Sequence, residues 1–544
     1  MTVSPIDIVE DLLTVAREGY AGDPIALRTL DDLDARRREP LRLAIAGMVK
    51  AGKSTLLNAM LGEQIAPTDT AECTRVVTWY RYSPTPTITM HPRVGPPRRM
   101  PIRREHGRLV LDLDGLVAEQ VEWIDVGWPL QSLKSVILID TPGIASLSDD
   151  TSARAARFLT PDDSPPAADA VVYLLRHLHG SDVKFLRAFQ DTAAGIAQTV
   201  CAVGVLSRAD EVGSGRIDSL LSARKVAHRY QRDKELASLT LGVIPVAGLL
   251  AEGARTLRES EYIAFRELAG LERADRERLL VSADRFIRES SATGLSPTVR
   301  RDLLARFGIF GVRMAVTVIR GGARSSSELA EELVQQSGLL EIQGFVATQL
   351  QSREATLKAR GIVLQLERLL QERPLADAAP VRAGIDRFTL AAHMLRELSV
   401  LSDARSMRLP LSETDAAEAE QIVGSEGTDA HVRLGASPTS DRDALRADVR
   451  GKLAHWRTLI ESPGLDTAAR AVCRIVIRSL EAIASEVGAG GPLRAEAPDV
   501  DAAGGPGHGA GEDAAEQREN HQTGLRRDHR LKLRSPFAER NPLR

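Results

Sequence analysis

Apolar positions fall into distinct regimes along the chain. In residues 4–36, Ile8, Val9, Leu12, Leu13 and Ala16 recur at three- and four-residue steps, which predicts an amphipathic helix that must bury its stripe against something later in the sequence. From Pro40 the period changes. Leu41, Leu43 and Ile45 alternate along a strand that runs into a glycine loop, and Val76–Tyr82 and Thr87–Met90 read as further strands. Ser135–Ile139, Ala170–Leu175, Val200–Leu206 and Val243–Val246 are nearly unbroken apolar runs with helix-like stretches between them. Apolar strands alternating with helices predict an α/β domain: a mostly parallel sheet with helices on both faces.

Strand signals stop near residue 255. Residues 255–290, 300–320, 327–372, 384–422 and 441–488 read as helices, with a Gly/Ser/Thr-rich break near 424–440. Leu339, Ile342, Val346 and Leu350 begin a stripe that Ile362, Leu366 and Leu369 continue, and Pro374 ends it. As one helix, 339–372 would extend roughly 50 Å. This region predicts an all-α bundle. Residues 489–544, rich in Gly, Ala and Pro, read as a disordered tail.

Length and composition sharpen the division. A chain of 544 residues is too long for one core. The pattern gives 1–39 as an N-terminal helical segment, 40–255 as the α/β domain, 256–488 as the helical bundle and 489–544 as the tail. Aromatic residues are 4% of the chain, which favours helix over a large β architecture. Formal net charge is −3, and with no basic footprint running through the chain nucleic acid is not expected as a main partner. The tail divides by charge: 489–523 carries seven acidic and two basic residues, 524–544 seven basic and two acidic, the pattern of a solvated segment. Cys73, Cys201 and Cys473 lie far apart and show no metal-ligand spacing, which points to a reducing compartment. Acidic Asp7, Glu10 and Asp11 stand where a signal peptide needs an apolar core, and no run has the length of a membrane span. The apolar stretch Phe307–Ile319 is short and holds Arg313, so it reads as a packed helix rather than an inserted tip. The expected location is the cytoplasm, with at most peripheral contact to the inner face of the cell membrane.

The chemistry concentrates at three strand ends. Gly47-Met48-Val49-Lys50-Ala51-Gly52-Lys53-Ser54 fits GxxxxGK(S/T). Its glycines let successive N–H groups face phosphates, Lys53 places charge on the β- and γ-phosphates, and Ser54 supplies a hydroxyl to Mg2+. Thr55 opens the following helix, whose N-terminal end favours an anion. Asp140-Thr141-Pro142-Gly143 ends the next apolar strand; Asp140 can hold the same Mg2+, and the Gly143 N–H can approach the γ-phosphate. Thr74, directly before a strand, is the best placed of several threonines (Thr68, Thr70 and Thr78 compete) to bring a hydroxyl to the metal and the attacking water. Ser207-Arg208-Ala209-Asp210 ends a third strand. Asp210 can accept the N1–H and N2–H2 donors of guanine, and the Arg208 side chain can cover the base. This segment departs twice from the usual Asn/Thr-Lys-x-Asp. Val246-Ala247-Gly248, at the end of a further strand, can close over the base. Together these predict a GTP- and GDP-binding P-loop GTPase.

The motifs, in this order, resemble the dynamin family of large GTPases. The resemblance is carried by GMVKAGKSTLLNAMLG (47–62), CTRVVT (73–78), LIDTPG (138–143), ADAVVYLLR (168–176) and LSRAD (206–210), with LLARFGIFGVRMAV (303–316), SGL (337–339) and LKAR (357–360) in the helical region. It is nearest to the isoniazid-inducible dynamin-like proteins of actinobacteria. It implies a GTPase head on a helical neck and trunk joined by the N-terminal helix, head-to-head homodimerisation across the nucleotide, and peripheral membrane remodelling or fusion. DTPG offers no glutamine to orient water. Lys50 stands where many relatives place a polar finger, and it is a candidate for countering transition-state charge. A slow GTP-switched scaffold and a ribosome-associated assembly GTPase are the competing readings.

Overall fold

In the computed structural model the described residues are 4–67, 76–105, 107–113, 115–143, 167–193, 201–406 and 409–488. The tail after 488 and the segment holding Thr74 therefore lie outside them. A nine-stranded sheet organises the first half: β1 Leu41–Gly47, β2 Val77–Tyr82, β3 Thr87–Pro92, β4 Arg98–Arg99, β7 Val121–Trp128, β8 Val136–Asp140, β9 Ala170–Leu175, β10 Ala202–Ser207 and β11 Val243–Val246. Between β4 and β7, the strands β5 Arg103–Glu105 and β6 Arg108–Val110 form a separate hairpin. Strand order in the large sheet is β11-β10-β9-β1-β8-β2-β7-β3-β4. The pairings among β11, β10, β9, β1 and β8 are all parallel, and β2 turns antiparallel against β8. The sheet is mostly parallel, as the apolar runs predicted, with an antiparallel margin at β3 and β4. Sequence periodicity missed β7, whose Val121, Ile124 and Val126 are buried while Glu122 faces solvent.

The N-terminal stripe forms two helices. Pro5–Gly19 ends at Tyr20, and Pro24–Arg38 begins with Pro24 in its first turn and Asp23 accepting hydrogen bonds from the Ile25 and Ala26 N–H groups. A proline tolerated in a first turn breaks a helix anywhere else, so 4–36 is a hairpin rather than one rod. Both helices pack on Glu354–Glu372, and the first also on Ala379–Ala391. Val9, Leu12, Leu30, Ile362, Val363, Leu366 and Phe388 bury one another in a cluster of their own. The Tyr20 hydroxyl donates to the Arg373 carbonyl at 2.6 Å, and Lys358 Nζ donates to the Glu39 carbonyl at 2.7 Å. At the base of the sheet, buried Arg36 pairs with buried Asp169, whose carboxylate also accepts from the Arg42 N–H at 2.7 Å.

The helical region packs tightly against the sheet domain. Residues 339–372 are helical throughout but change pitch: a regular helix Leu339–Phe345, a wide turn Val346–Leu350, a tight turn Gln351–Arg353, and the long helix Glu354–Glu372. The buried Arg353 guanidinium, which donates to the Gln349 and Gly424 carbonyls, sits at that irregularity. Helix Pro297–Gly321 lies on Gly248–Arg255 and Glu259–Gly270. Its Phe307, Phe310, Val312 and Ala315 are buried, and Phe307 meets Phe265 edge-on at 5.0 Å, so the stretch 307–319 is packed core. Beyond it, His393–Ser406, Glu413–Ile422, Arg442–Ile460 and Thr467–Gly488 complete the bundle. Among the described residues no helix is long and apolar enough to cross a membrane.

Candidate nucleotide-binding site

β1 ends in the predicted glycine loop, and helix Lys53–Leu61 starts at Gly52, which has φ +93 and no side chain to cap the helix. The free N–H groups of that first turn have no partner within the helix, so they remain for an anion. Lys53 Nζ folds back to the Gly47 and Met48 carbonyls, each at 3.3 Å, and burial holds its pKa below the ordinary lysine value. Lys50 takes a left-handed backbone, φ +63, and its side chain is exposed. A lysine adopts that conformation only where surroundings enforce it. Arg208 supplies one enforcing contact: its guanidinium donates to the Lys50 carbonyl at 3.0 Å. Arg208 is held in turn by Glu211 at 2.8 Å, and Glu211 by Arg176 at 2.9 Å.

β8 lies beside β1 in parallel register, Ile45 opposite Asp140, which brings the strand end to the loop. Ser54 Oγ donates to Asp140 Oδ2 at 3.0 Å, whereas Asp140 Oδ1 is buried with no hydrogen-bond partner among the described residues. Burial pushes the Asp140 carboxyl up to about 6, against the opposing pull of Lys53 and the Ser54 bond. A buried oxygen with an unsatisfied lone pair next to a serine hydroxyl, both hard oxygen donors, is a donor set that suits Mg2+. Past the strand, Thr141 Oγ1 donates to the Ile45 carbonyl at 2.8 Å. Gly143 then passes so close to the loop that a Cβ there would lie 2.5 Å from Val49 Cγ2 and 2.8 Å from Val49 Cα.

The third strand end, β10, completes an open cleft. Ala51, Gly52 and Thr55 of the phosphate loop form one side; Ser207, Arg208 and Asp210 form the other, and Val246 closes it. Asp210 is pushed up by burial. Ser207 is buried and its hydroxyl is engaged by the Leu175 carbonyl at 3.1 Å, so it braces β10 against β9. Arg208 reaches the loop backbone with its guanidinium, which leaves its methylenes as the part available to a base. Ala247 is buried, its N–H bonded to the Ser337 carbonyl at 2.9 Å, and is not among the residues lining the cleft. Gly248 lines the cleft as well, and so do Leu56, Leu174, Val205, Glu211 and Leu249, which the motifs alone did not single out. Leu56, Glu211 and Leu249 directly follow Thr55, Asp210 and Gly248, and that adjacency was the one available signal.

Helix Pro297–Gly321 approaches the same cleft from behind. It kinks at Gly308, φ 64 and ψ 172, where a Cβ would sit 3.6 Å from Leu249 and 3.8 Å from Asp210 Oδ2. The glycine keeps the helix close to the carboxylate without covering it.

A Walker-type loop, a carboxylate at the neighbouring strand end and a second carboxylate across the cleft define a P-loop GTPase. The sequence profile described as the dynamin family matches residues 43–165. Over 493 residues the chain is 40% identical to the isoniazid-induced protein IniC of Mycobacterium tuberculosis, covering 90% of this chain and 100% of that protein. A bacterial dynamin-like protein of Nostoc punctiforme is 34% identical over 124 residues, 21% of this chain and 17% of its own. Among solved structures, an oligomerised bacterial dynamin pair overlaps 90% of this chain and 75% of its own at 11% identity, with a TM-score of only 0.34. The chain belongs to the dynamin family, and it is a GTPase.

Proposed function

We propose that the chain binds GTP and GDP in this cleft together with Mg2+, hydrolyses GTP, dimerises through its 40–255 head, and acts peripherally in membrane remodelling or fusion. The observation that carries the nucleotide reading is the convergence of three sequence-distant strand ends on one cleft, with Ser54 and the unpartnered Asp140 oxygen side by side. Bound Mg2+ would neutralise charge on the β- and γ-phosphate oxygens. The chain's own groups account for the rest. N–H groups from Ala51 to Thr55 receive the phosphates, Lys53 exchanges its two loop carbonyls for phosphate oxygens, and Ser54 and Asp140 hold the metal. Gly143 presents its N–H at the γ-phosphate. Asp210 reads guanine while Val246 bounds the base. Thr74, outside the described residues, is proposed as the further metal and water ligand.

Lys50 is proposed as the internal finger. Its backbone is held by Arg208 while its exposed ammonium has no ion pair among the described residues, so it can swing over the phosphates at little cost in reorganisation. Two measurements test the whole reading. Purified protein with Mg2+ should retain GTP and GDP but not adenine nucleotides; equal retention of ATP refutes the assignment of Asp210. Turnover per molecule should rise with protein concentration, because dimerisation completes the site; flat, very slow turnover supports a scaffold instead. Lys50→Ala should lower kcat with GTP binding intact, and an unchanged kcat removes Lys50 from the mechanism.

A further inference from the structure

The margin of the sheet farthest from the base-reading strands carries a charge pattern that the net value of −3 conceals. Between His91 and Val110 there are six arginines and one glutamate. β3 and β4 form a hairpin in which Met90 pairs with Arg98 and Thr89 with Arg99, and the β5–β6 hairpin follows at once. Arg104 is engaged by Glu63 at 3.0 Å and lies over the Trp128 ring, and Arg103 is 3.6 Å from Asp112. Arg93, Arg98 and Arg99 are exposed and have no carboxylate partner among the described residues.

Charge on an edge strand by itself has a simple use: it discourages edge-to-edge aggregation. That does not explain the apolar side chains set among these arginines. Val94, at the hairpin tip, is 88% exposed, the highest value among the exposed large apolar residues. Ile102, at the junction of the two hairpins, is 44% exposed, as is Val117 on the turn that the Arg93 N–H joins by a 2.8 Å bond to the Gln120 carbonyl. Pro92, Pro96, Pro97 and Pro101 stiffen the double hairpin, so presenting it costs little chain entropy. Unpaired cations around protruding aliphatic side chains suit a surface that is anionic at its face and apolar just beneath. A bilayer containing acidic phospholipids has both properties. A nucleic-acid strand would instead be met by exposed aromatic platforms, and the described exposed residues of this margin include none.

We propose that the double hairpin spanning residues 87–110 is a docking surface for an anionic phospholipid bilayer, with Arg93, Arg98 and Arg99 on the headgroups and Val94 at the headgroup–acyl boundary. The inference rests on the membrane reading above and gives it a location on the GTPase head. From β10 to β4 there are seven strand-to-strand steps in the sheet, roughly 34 Å at about 4.8 Å each, so lipid contact there leaves the base-reading end of the cleft clear.

Vesicle co-sedimentation of the full chain, tail included, tests it with phosphatidylcholine alone and with phosphatidylcholine containing phosphatidylglycerol. Wild type should sediment only with the anionic vesicles and be released by salt. At about five-fold for each basic residue, the triple variant Arg93→Ser, Arg98→Ser, Arg99→Ser should bind roughly 100-fold more weakly. Its GTP turnover and melting temperature should be unchanged, and the corresponding triple lysine variant should bind like wild type. Val94→Asp should weaken binding further without touching turnover. If wild type and the triple serine variant sediment equally, the hairpin assignment is overturned while the membrane reading stands. If wild type binds neither vesicle, the membrane reading itself falls. If wild type prefers single-stranded RNA over vesicles and the serine variant loses that preference, the surface takes a different polyanion and the lipid assignment is overturned.

Discussion

Asp140 carries a burden that should be measurable in the nucleotide-free protein. One carboxylate oxygen is buried with no hydrogen-bond partner among the described residues, and the carboxyl pKa is raised from 3.8 to about 6, chiefly by burial. Between those two pH values the folded chain holds a proton that the unfolded chain releases. Stability contributed by the protonated form is complete below about pH 3.8 and is lost as pH rises through about 6. At 1.36 kcal/mol for each pH unit, the ionised carboxylate destabilises the empty head by about 3 kcal/mol at neutral pH. Asp140→Asn keeps the size and the capacity to bond Ser54 but removes the charge. In the absence of Mg2+ and nucleotide it should therefore be more stable than wild type at pH 7.5, by up to about 3 kcal/mol. For a domain of this size that corresponds to roughly 6–12 °C in melting temperature. The gain should grow between pH 5 and pH 7 and then level off. With Mg2+ and GDP present the order should reverse, because wild type gains binding energy that the asparagine cannot supply. Differential scanning calorimetry across pH, with and without ligand, reads both effects. A variant no more stable than wild type at pH 7.5, or a gain independent of pH between 5 and 7, refutes the argument that a metal-poised charge is stored there at the expense of stability.

Other perturbations address the remaining contacts. Gly143→Ala would place a methyl 2.5 Å from Val49 Cγ2 and 2.8 Å from its Cα, and the second clash is with backbone that cannot rotate away; turnover should fall at least about ten-fold with little change in melting temperature. Arg208→Ala removes the bond that holds the Lys50 carbonyl. A charge-assisted bond contributes about 1.5–3 kcal/mol, so stopped-flow GDP release should accelerate about ten-fold or more, and an unchanged rate would show that the loop holds its left-handed turn alone. Asp169→Asn leaves Arg36 buried without its counter-charge where the N-terminal hairpin meets the sheet. It should destabilise by about 3–5 kcal/mol in urea unfolding, with the Arg36→Met, Asp169→Asn pair recovering part of the loss. Asn58→Ala frees the Ile65 and Ala66 N–H groups and the buried Glu252 carboxyl from their shared partner, and hydrogen exchange at Ile65 and Ala66 should quicken markedly.

What the sequence disclosed and what it withheld divide along one physical line. The phosphate loop, the strand-end Asp140 and Asp210, and the buried strands β1, β8, β9, β10 and β11 each depend on chemistry confined to a few consecutive residues, so their spacing and apolar runs could be read directly. Features set by contact between remote segments left no local mark. Arg208 looked only like a cover for the base, and its guanidinium is also tied to a carbonyl 158 residues away. Ala247 looked like a lid, but its N–H belongs to Ser337, and beside that bond Gly338 (φ +81) lies where any Cβ would meet the Pro245 carbonyl at 2.3 Å. The SGL phrase was quoted for resemblance alone; packing gives it a cause, since only glycine lets the helical region come so near β11. Helix Pro297–Gly321 makes the same point at Gly308, which is conspicuous for a residue inside a helix until Asp210 is found beside it. Both glycines bring bundle helices to within van der Waals distance of the elements that bound the base. A change in the base-binding end of the cleft therefore has two short routes into the helical region, through Asp210 to Gly308 and through β11 to Gly338. At Gly338 a single methyl group would displace one side or the other, whereas at Gly308 it would fit in ordinary contact and the positive φ is what calls for glycine.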